Sequence, residues 1–172
     1  DISVTGLHGG HSGDEIHKGY GNAVKIINRL LWNISNQYEI SLADFNGGNL
    51  RNAIPREAFS TIVIDKNSYT SIKTWIDNFY STLINEFGNL EKELKISVKD
   101  ADLPSFVMDK ESQKKFLNAL TCCPHGVIAW SNEMDDLVET SSNLASAKFS
   151  ENNTIRIITT QRSSVESSKH DA

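Results

Sequence analysis

Cysteine is scarce in this sequence, and the two cysteines present cannot form a disulfide framework. Cys122 and Cys123 are adjacent, so a disulfide between them would be strained, and no second pair exists to complete a zinc site. Disulfides persist mainly in oxidising compartments. The cysteine content therefore favours a reducing, cytoplasmic setting.

Long apolar runs and an excess of basic residues are also missing. No run approaches the roughly 20 apolar residues of a membrane span, and no charged and then apolar leader is present, so we expect neither a membrane anchor nor a signal peptide. The 17 Lys and Arg residues are outnumbered by 22 Asp and Glu residues, and the net charge of −5 is spread along the chain. Nucleic acid is therefore not an expected partner.

What the 172 residues do contain is the composition of a folded globular protein, with 38% hydrophobic and 23% charged residues. In the first hundred residues, apolar periodicity predicts the order strand, helix, strand, strand, helix, strand. This order is typical of an α+β, ferredoxin-like unit with two helices on one face of an antiparallel sheet. The predicted elements are a strand around Ile2 and Val4, a helix through Ala23 and Ile34 capped by Asn22, strands at 38–46 and 57–65, a helix from Ser68 to Phe87 ended by Gly88, and a strand at 94–100.

Residues 104–172 echo the first unit in part. Apolar residues at helical spacing after Asp109 predict a helix that this residue can cap, and three later stretches predict strands, the last two joined by a turn at SENN. NLASAKF followed by TIRIIT parallels NLRNAIPREAF followed by TIVID. We therefore predict a first unit at 1–103 and a second, incomplete unit of the same kind at 104–172, which ends in a serine-rich stretch able to begin a helix.

The most unusual stretch is a loop rich in glycine and histidine, GLHGGHSGDEIHKGYGNA, from Gly6 to Ala23. His11 lies in it between a glycine and a serine, where the backbone can approach a ligand closely and the imidazole can reach out. Alternatively, the glycines make only a tight strand-to-helix connection with an exposed histidine. A metal site with His8 and His17 is not expected, because their spacing fits no helical zinc pair or known loop pattern.

Two polar residues elsewhere are suited to hold a carboxylate. Asn52, in GGNLRNAIP, can grip a carboxylate or a carbonyl, or can be an ordinary turn asparagine. Arg162 ends a predicted strand, where its guanidinium is suited to bidentate recognition of a carboxylate or is simply solvated. His125, which follows a proline in a loop, and His170, in the last predicted segment, are expected to be solvated.

These residues do not assemble a catalytic centre by themselves. A hydrolase needs a nucleophile with its activator, or a metal with three or more ligands, and neither set can be composed from this sequence. The chain alone is therefore expected to be inactive and to bind no metal.

The long loop motif, the segment FNGGNLRNAIPREA and the late stretches LVETSSNLA and TTQRSSVESSK together resemble one family, the dinuclear-zinc exopeptidases related to carboxypeptidase G and aminoacylase. Within that family the resemblance is to dipeptidases that hydrolyse Xaa-His and other dipeptides. It implies that this chain is the lid or dimerisation domain, inserted between the two halves of a catalytic zinc domain. Those halves, with the metal ligands and the glutamate general base, are absent from this sequence.

The resemblance also implies roles for three residues. His11 corresponds to a lid histidine that stabilises the tetrahedral oxyanion, Asn52 to an asparagine near the substrate, and Arg162 to an arginine that binds the substrate carboxylate. The place of this arginine in the first unit, near Asp65, carries none. His11 is then expected to be exposed and without a fixed partner until the whole enzyme closes.

The cofactor and partners implied by the resemblance belong to the full-length enzyme. The cofactor is zinc, as two ions, with none bound by this chain. The partners are a dipeptide substrate, the enzyme's own catalytic domain and a second copy in a homodimer, unless the two fused units imitate that dimer within one chain.

A different class of function fits the same fold class. A non-catalytic ferredoxin-like module can bind a regulatory small molecule between paired repeats, or can serve assembly through an exposed sheet edge. Neither function needs an imidazole on a glycine loop, whereas a lid does. Exposure of the His11 ring therefore distinguishes the two classes.

Overall fold

The structure, a computed structural model, describes residues 1–150 and 154–172, so most of the predicted SENN turn lies outside the described residues. Within these ranges, no helix combines the length and the apolar character that a membrane crossing needs. The elements are β1 (Ile2–Thr5), α1 (Ala23–Gln37), β2 (Ile40–Gly47), β3 (Ala58–Ile64), α2 (Tyr69–Phe87), β4 (Lys95–Val98), α3 (Lys110–Cys122), β5 (Gly126–Trp130), β6 (Val138–Ser150), β7 (Thr154–Ser163) and α4 (Glu166–Asp171), with single 3-10 turns at Ile16–Lys18 and Lys66–Ser68.

The first unit has the strand order of a ferredoxin-like sheet. Its strands pair in the order β4, β1, β3, β2, and every pair is antiparallel. The helices α1 and α2 pack on one face, where Ile27, Leu30 and Leu31 of α1 are fully buried together with Phe45 of β2. The predicted α+β, ferredoxin-like arrangement is therefore confirmed.

Three helix ends show the residues that the sequence predicts for them. Asn22 accepts hydrogen bonds from the amides of Val24 and Lys25 at 3.0 and 3.2 Å and so caps α1. Asp109 caps α3 by accepting from the Ser112 amide at 2.9 Å. After α2, Gly88 has a φ of 53°, a left-handed value that favours glycine.

Residues 104–172 extend the same sheet. β6 pairs antiparallel with β2 near its end and with β5 near its start, and it pairs with β7 along nearly its whole length. α3 packs beside α1, and the Phe116 ring meets the Phe45 ring edge to face with centroids 5.1 Å apart. The helix and the three strands predicted for this segment are present, and the serine-rich stretch, predicted only to begin a helix, forms the short helix α4. The boundary between the two predicted units stays a prediction.

A buried glutamine joins the second segment to the first. Gln113 of α3 accepts a hydrogen bond from the Leu42 amide at 2.7 Å and donates one to the Ile40 carbonyl at 3.3 Å. The Met108 amide adds a bond of 2.7 Å to the Leu42 carbonyl. β6 pairs only with the end of β2. At the start of β2, the Gln113 side chain and the Met108 amide therefore form the backbone hydrogen bonds that a neighbouring strand would otherwise form.

Gln113→Leu is expected to lower the free energy of unfolding by about 1 to 3 kcal/mol, because it leaves the buried Leu42 amide without an acceptor. Urea unfolding followed by circular dichroism measures the change. Gln37→Leu, at an exposed glutamine of α1, is the matched control and should change stability by less than about 0.5 kcal/mol. Equal stability of the Gln113→Leu and parent chains would contradict this account of the α3 contact.

Candidate functional site

The chain leaves β1 through a loop, residues 6–22, whose backbone requires glycine at several positions. Gly9 and Gly10 have φ angles of 74° and 127°, which residues with a side chain rarely adopt. A methyl group on Gly9 would lie 2.3 Å from the Arg56 side chain, and one on Gly10 would lie 2.8 Å from the Glu15 carboxylate. The absence of side chains at Gly9 and Gly10 therefore makes room for the side chains of Arg56 and Glu15 of the same domain.

A buried carboxylate holds both ends of this loop. Glu91, only 2% exposed, accepts hydrogen bonds from the His8 amide and from the Gly21 amide, both at 2.7 Å. A buried carboxylate is tolerated when its oxygens are hydrogen-bonded, and here two backbone donors meet that need. Glu91 carries no sequence signal of burial, because it lies in a polar turn between α2 and β4.

The loop pairs with the segment after β2 that contains Asn52. The Ser12 amide donates to the Asn52 carbonyl at 2.9 Å, and the Ile54 amide donates back to the loop at 2.9 Å. Between these bonds, His11 lies opposite Ala53 in an antiparallel bridge. His11 and the exposed Asn52 are thus neighbours in space, although they are far apart in the sequence.

Arg162, near the end of β7, reaches the same place from the second segment. A methyl group built on Gly13 would lie 3.0 Å from Cζ of Arg162, so the guanidinium lies against the loop just after His11. Arg162 is exposed, and its backbone pairs with Ser141 of β6. The structure therefore brings all three predicted site residues, His11, Asn52 and Arg162, together.

Two side chains of β6 and β7 support this site from the sheet. Asn143 Nδ2 donates to the Ala53 carbonyl at 3.0 Å, and Thr160 Oγ1 donates to the Arg51 carbonyl at 2.8 Å. Neighbouring residues on a strand point to opposite faces, and Leu144, next to Asn143, is buried in the helix-covered core. The site therefore lies on the sheet face opposite the helices.

The His11 ring has one nitrogen bonded inside the loop. Nδ1 accepts from the amides of Gly13 and Asp14 at 3.3 and 3.2 Å, and the Asp14 carboxylate lies 3.1 Å from it. The expectation that His11 has no fixed partner is therefore wrong. A neutral ring that accepts from these two amides at Nδ1 carries its hydrogen on Nε2. Nε2 then presents an N–H, on a side chain that is 38% exposed.

The other two histidines of the loop have separate partners. His8 stacks on Tyr20 with ring centroids 4.1 Å apart, and His17 meets Trp130 edge to face at 6.4 Å. Among residues 1–150 and 154–172, no three His, Cys, Asp or Glu side chains form a group that can hold a metal ion. The described residues thus do not fit a zinc ion, and no chemistry in this chain is assigned to one.

His125 is not solvated as predicted. It is partly buried, and its Nδ1 lies 3.2 Å from Nδ2 of Asn22, whose amide also donates to the Leu144 carbonyl at 2.9 Å. Burial, and to a lesser degree the Lys25 ammonium, lower the pKa of His125 from 6.5 to about 4. The ring is therefore neutral at pH 7 and accepts at Nδ1. His170, by contrast, is exposed as predicted.

Residues 2–91 match the family model described as the peptidase dimerisation domain, and the chain belongs to this family. The cytosol non-specific dipeptidase of Escherichia coli (strain K12) is 37% identical over 168 residues, which cover 98% of this chain and 34% of that protein. The crystal structure of aminoacylhistidine dipeptidase from Vibrio alginolyticus matches with a TM-score of 0.95 and 34% identity, over 99% of this chain and 34% of that one. The predicted family resemblance is confirmed, and it extends to these dipeptidases, also called peptidase D.

The chain spans about one third of the length of both relatives. The match in structure confirms a mixed fold of helices on an antiparallel sheet, as in the dimerisation domain of the solved relative. A shared fold does not by itself assign chemistry to side chains. The roles of His11, Asn52 and Arg162 therefore stay predictions.

Glu91→Gln is expected to loosen the loop, because the new amide group offers one oxygen where two backbone donors need acceptors. The free energy of unfolding should fall by about 1 to 3 kcal/mol. Hydrogen exchange measured by NMR should accelerate at the amides of His8 and Gly21. Glu93→Gln, at an exposed glutamate nearby, is the matched control, and unchanged exchange in the Glu91→Gln chain would refute the proposed clamp.

The lowered pKa of His125 predicts a pH dependence of stability. Between pH 6.5 and about 4 the unfolded chain binds a proton at His125 that the folded chain does not, so stability falls as the pH falls through this window. The loss from this group is at most about 3 kcal/mol, at about 1.4 kcal/mol per pH unit. Urea unfolding across the window should show a weaker pH dependence for His125→Gln, and parallel curves for the two chains would rule this effect out.

Proposed function

We propose that this chain is the lid, or dimerisation, domain of a zinc-dependent dipeptidase that hydrolyses Xaa-His and other dipeptides. One observation carries the proposal: His11, Asn52 and Arg162 come from distant parts of the sequence, and the backbone pairing of residues 10–12 with 52–54 and the contact of Arg162 with Gly13 bring them close together. The group combines an N–H donor, an amide and a guanidinium. Together these match the carbonyl and the carboxylate of a small peptide.

Each of the three residues has a distinct role in the proposed reaction. When water adds to the scissile carbonyl, negative charge develops on its oxygen, and the Nε2–H of His11 donates a hydrogen bond to it. The Arg162 guanidinium binds the substrate carboxylate, and the Asn52 amide holds a substrate carbonyl or carboxylate. Because the oxyanion exists only near the transition state, His11 contributes to turnover more than to substrate binding.

Zinc, as two ions, belongs in this proposal to the part of the enzyme that the chain does not span. The described residues offer no group of ligands for a metal ion, and the chain covers 34% of the Escherichia coli relative. The metal ligands and the general base are therefore assigned to the catalytic domain. We propose that this chain alone is inactive and binds no zinc.

The proposed partners are a dipeptide, the enzyme's own catalytic domain and a second copy of the chain. The homodimer is supported by the family description, peptidase dimerisation domain. A cytoplasmic setting is supported by the cytosolic relative, and neither nucleic acid nor a membrane is a proposed partner. The alternative is a non-catalytic ferredoxin-like regulatory or assembly module. Such a module does not need a partly exposed histidine side chain at position 11.

His11→Ala in the complete enzyme is expected to lower kcat by about 100- to 1,000-fold, or about 3 to 4 kcal/mol, because one oxyanion donor is removed. KM should change much less, since the donor acts mainly in the transition state. Steady-state kinetics with an Xaa-His dipeptide measures both constants. Metal analysis should find the same zinc content as in the parent enzyme.

The matched control is His17→Ala, which removes an exposed histidine from the same loop. This variant should keep a kcat close to that of the parent enzyme. Near-normal turnover of the His11→Ala enzyme would refute the oxyanion role and would favour the regulatory or assembly module.

A further inference from the structure

Three successive carbonyl groups, at residues 51–53, are each held by a different part of the molecule. The middle one, of Asn52, accepts from the Ser12 amide in the glycine and histidine loop at 2.9 Å. The outer two accept from side chains of the second segment, Thr160 at 2.8 Å and Asn143 at 3.0 Å. A segment bonded at three successive carbonyls has little freedom to move relative to the sheet.

We infer that Asn143 and Thr160 are positioning residues for the proposed reaction. They act through residues 51–53 and hold the side chains of His11 and Asn52 in place on the sheet. Both bonds end on backbone carbonyls, so neither residue is assigned a contact with substrate. The inference rests on the proposed function, because it concerns the same site.

The pairing of β6 with β7 connects these supports to the predicted carboxylate-binding residue. Asn143 lies opposite Thr160 in the antiparallel ladder, and Ser141 lies opposite Arg162. Residues two apart on a strand point to the same face, so Arg162 follows Thr160 on the face that carries the site. One strand therefore carries both the guanidinium and a support of the segment that contains Asn52.

The sheet does not depend on the hydrogen bonds that Asn143 and Thr160 donate to residues 51–53. The β6 and β7 ladder is formed by backbone pairs from Thr140 with Ser163 to Ser150 with Thr154, so a change of the Thr160 hydroxyl leaves it in place. Asn143 is 1% exposed, and its Oδ1 has no hydrogen-bond partner among the described residues. A buried amide with an unpaired oxygen costs stability. An asparagine here is explained by the bond that it donates to the loop segment.

Thr160→Val in the complete enzyme replaces the hydroxyl by a methyl group and keeps the shape of the side chain. It is expected to lower kcat on the order of 10- to 100-fold, because small displacements of catalytic groups have effects of this size. Thr160→Ser, which keeps the hydroxyl, should restore most of the activity. Asn143→Asp, which exchanges the donor for an acceptor, should lower kcat as well. The matched control is Thr159→Val, at a side chain on the opposite face, and its kcat should stay near that of the parent.

A second background separates positioning from a general loss of folded enzyme. In an enzyme that already carries His11→Ala and Asn52→Ala, Thr160→Val should cause no further loss of kcat, because the groups that it positions are gone. Equal losses in the two backgrounds, or no loss in the parent, would overturn the positioning role alone. Near-normal turnover of the His11→Ala, Asn52→Ala background would overturn the proposed function, and the inference with it, before Thr160 is changed.

Hydrogen exchange in the complete enzyme provides a readout that does not depend on activity. Thr160→Val should accelerate exchange at the amides of Ser12 and Ile54, which bond the loop to residues 52–54. Thr159→Val should leave both amides as slow as in the parent enzyme. Unchanged exchange in the Thr160→Val enzyme would show that Thr160 does not hold this segment and would overturn the inference.

Discussion

The antiparallel contact between residues 10–12 and 52–54 is made by two backbone hydrogen bonds of 2.9 Å, and the rest of the candidate site depends on it. The contact sets His11 beside Asn52. It also presents the backbone of Gly13 to Arg162, whose guanidinium lies so close that a side chain at this position would displace it. Backbone groups form this contact, so it does not use Nε2 of His11 or the side-chain amide of Asn52.

Ordering such a loop costs conformational entropy, and hydrogen bonds from residues outside the loop offset that cost. Glycines at positive φ lose more conformational freedom on folding than other residues. The Glu91 carboxylate bonds the loop at His8 and at Gly21, and Asn143 and Thr160 hold the segment with which the loop pairs. The loop is therefore stabilised near its two ends by Glu91 and indirectly through the segment containing residues 51–53, with which it pairs. The residues between, including His11, are not needed for these contacts with Glu91.

Sequence patterns predicted the features that depend on local chemistry. The apolar stripe and the Asn22 cap of α1, and the order of elements in the ferredoxin-like unit, follow from residue spacing within short windows. Burial of Glu91 and the partner of His125 were not predicted, because both depend on groups that are distant in the sequence. The bonds of His11 Nδ1 are local, but they depend on backbone angles that a residue pattern does not specify.

Arg162, the arginine predicted for the candidate site, lies outside the predicted first unit. The comparable place in that unit is near Asp65, whose carboxylate accepts a hydrogen bond from the Asn67 amide at 2.7 Å and so serves a turn. A carboxylate also repels a substrate carboxylate, which a guanidinium attracts. The strands β6 and β7 continue the sheet beyond β2 and bring Arg162 to Gly13. Folding of one sheet thus assembles His11, Asn52 and Arg162 within one chain, and the proposed homodimer is not needed to bring them together.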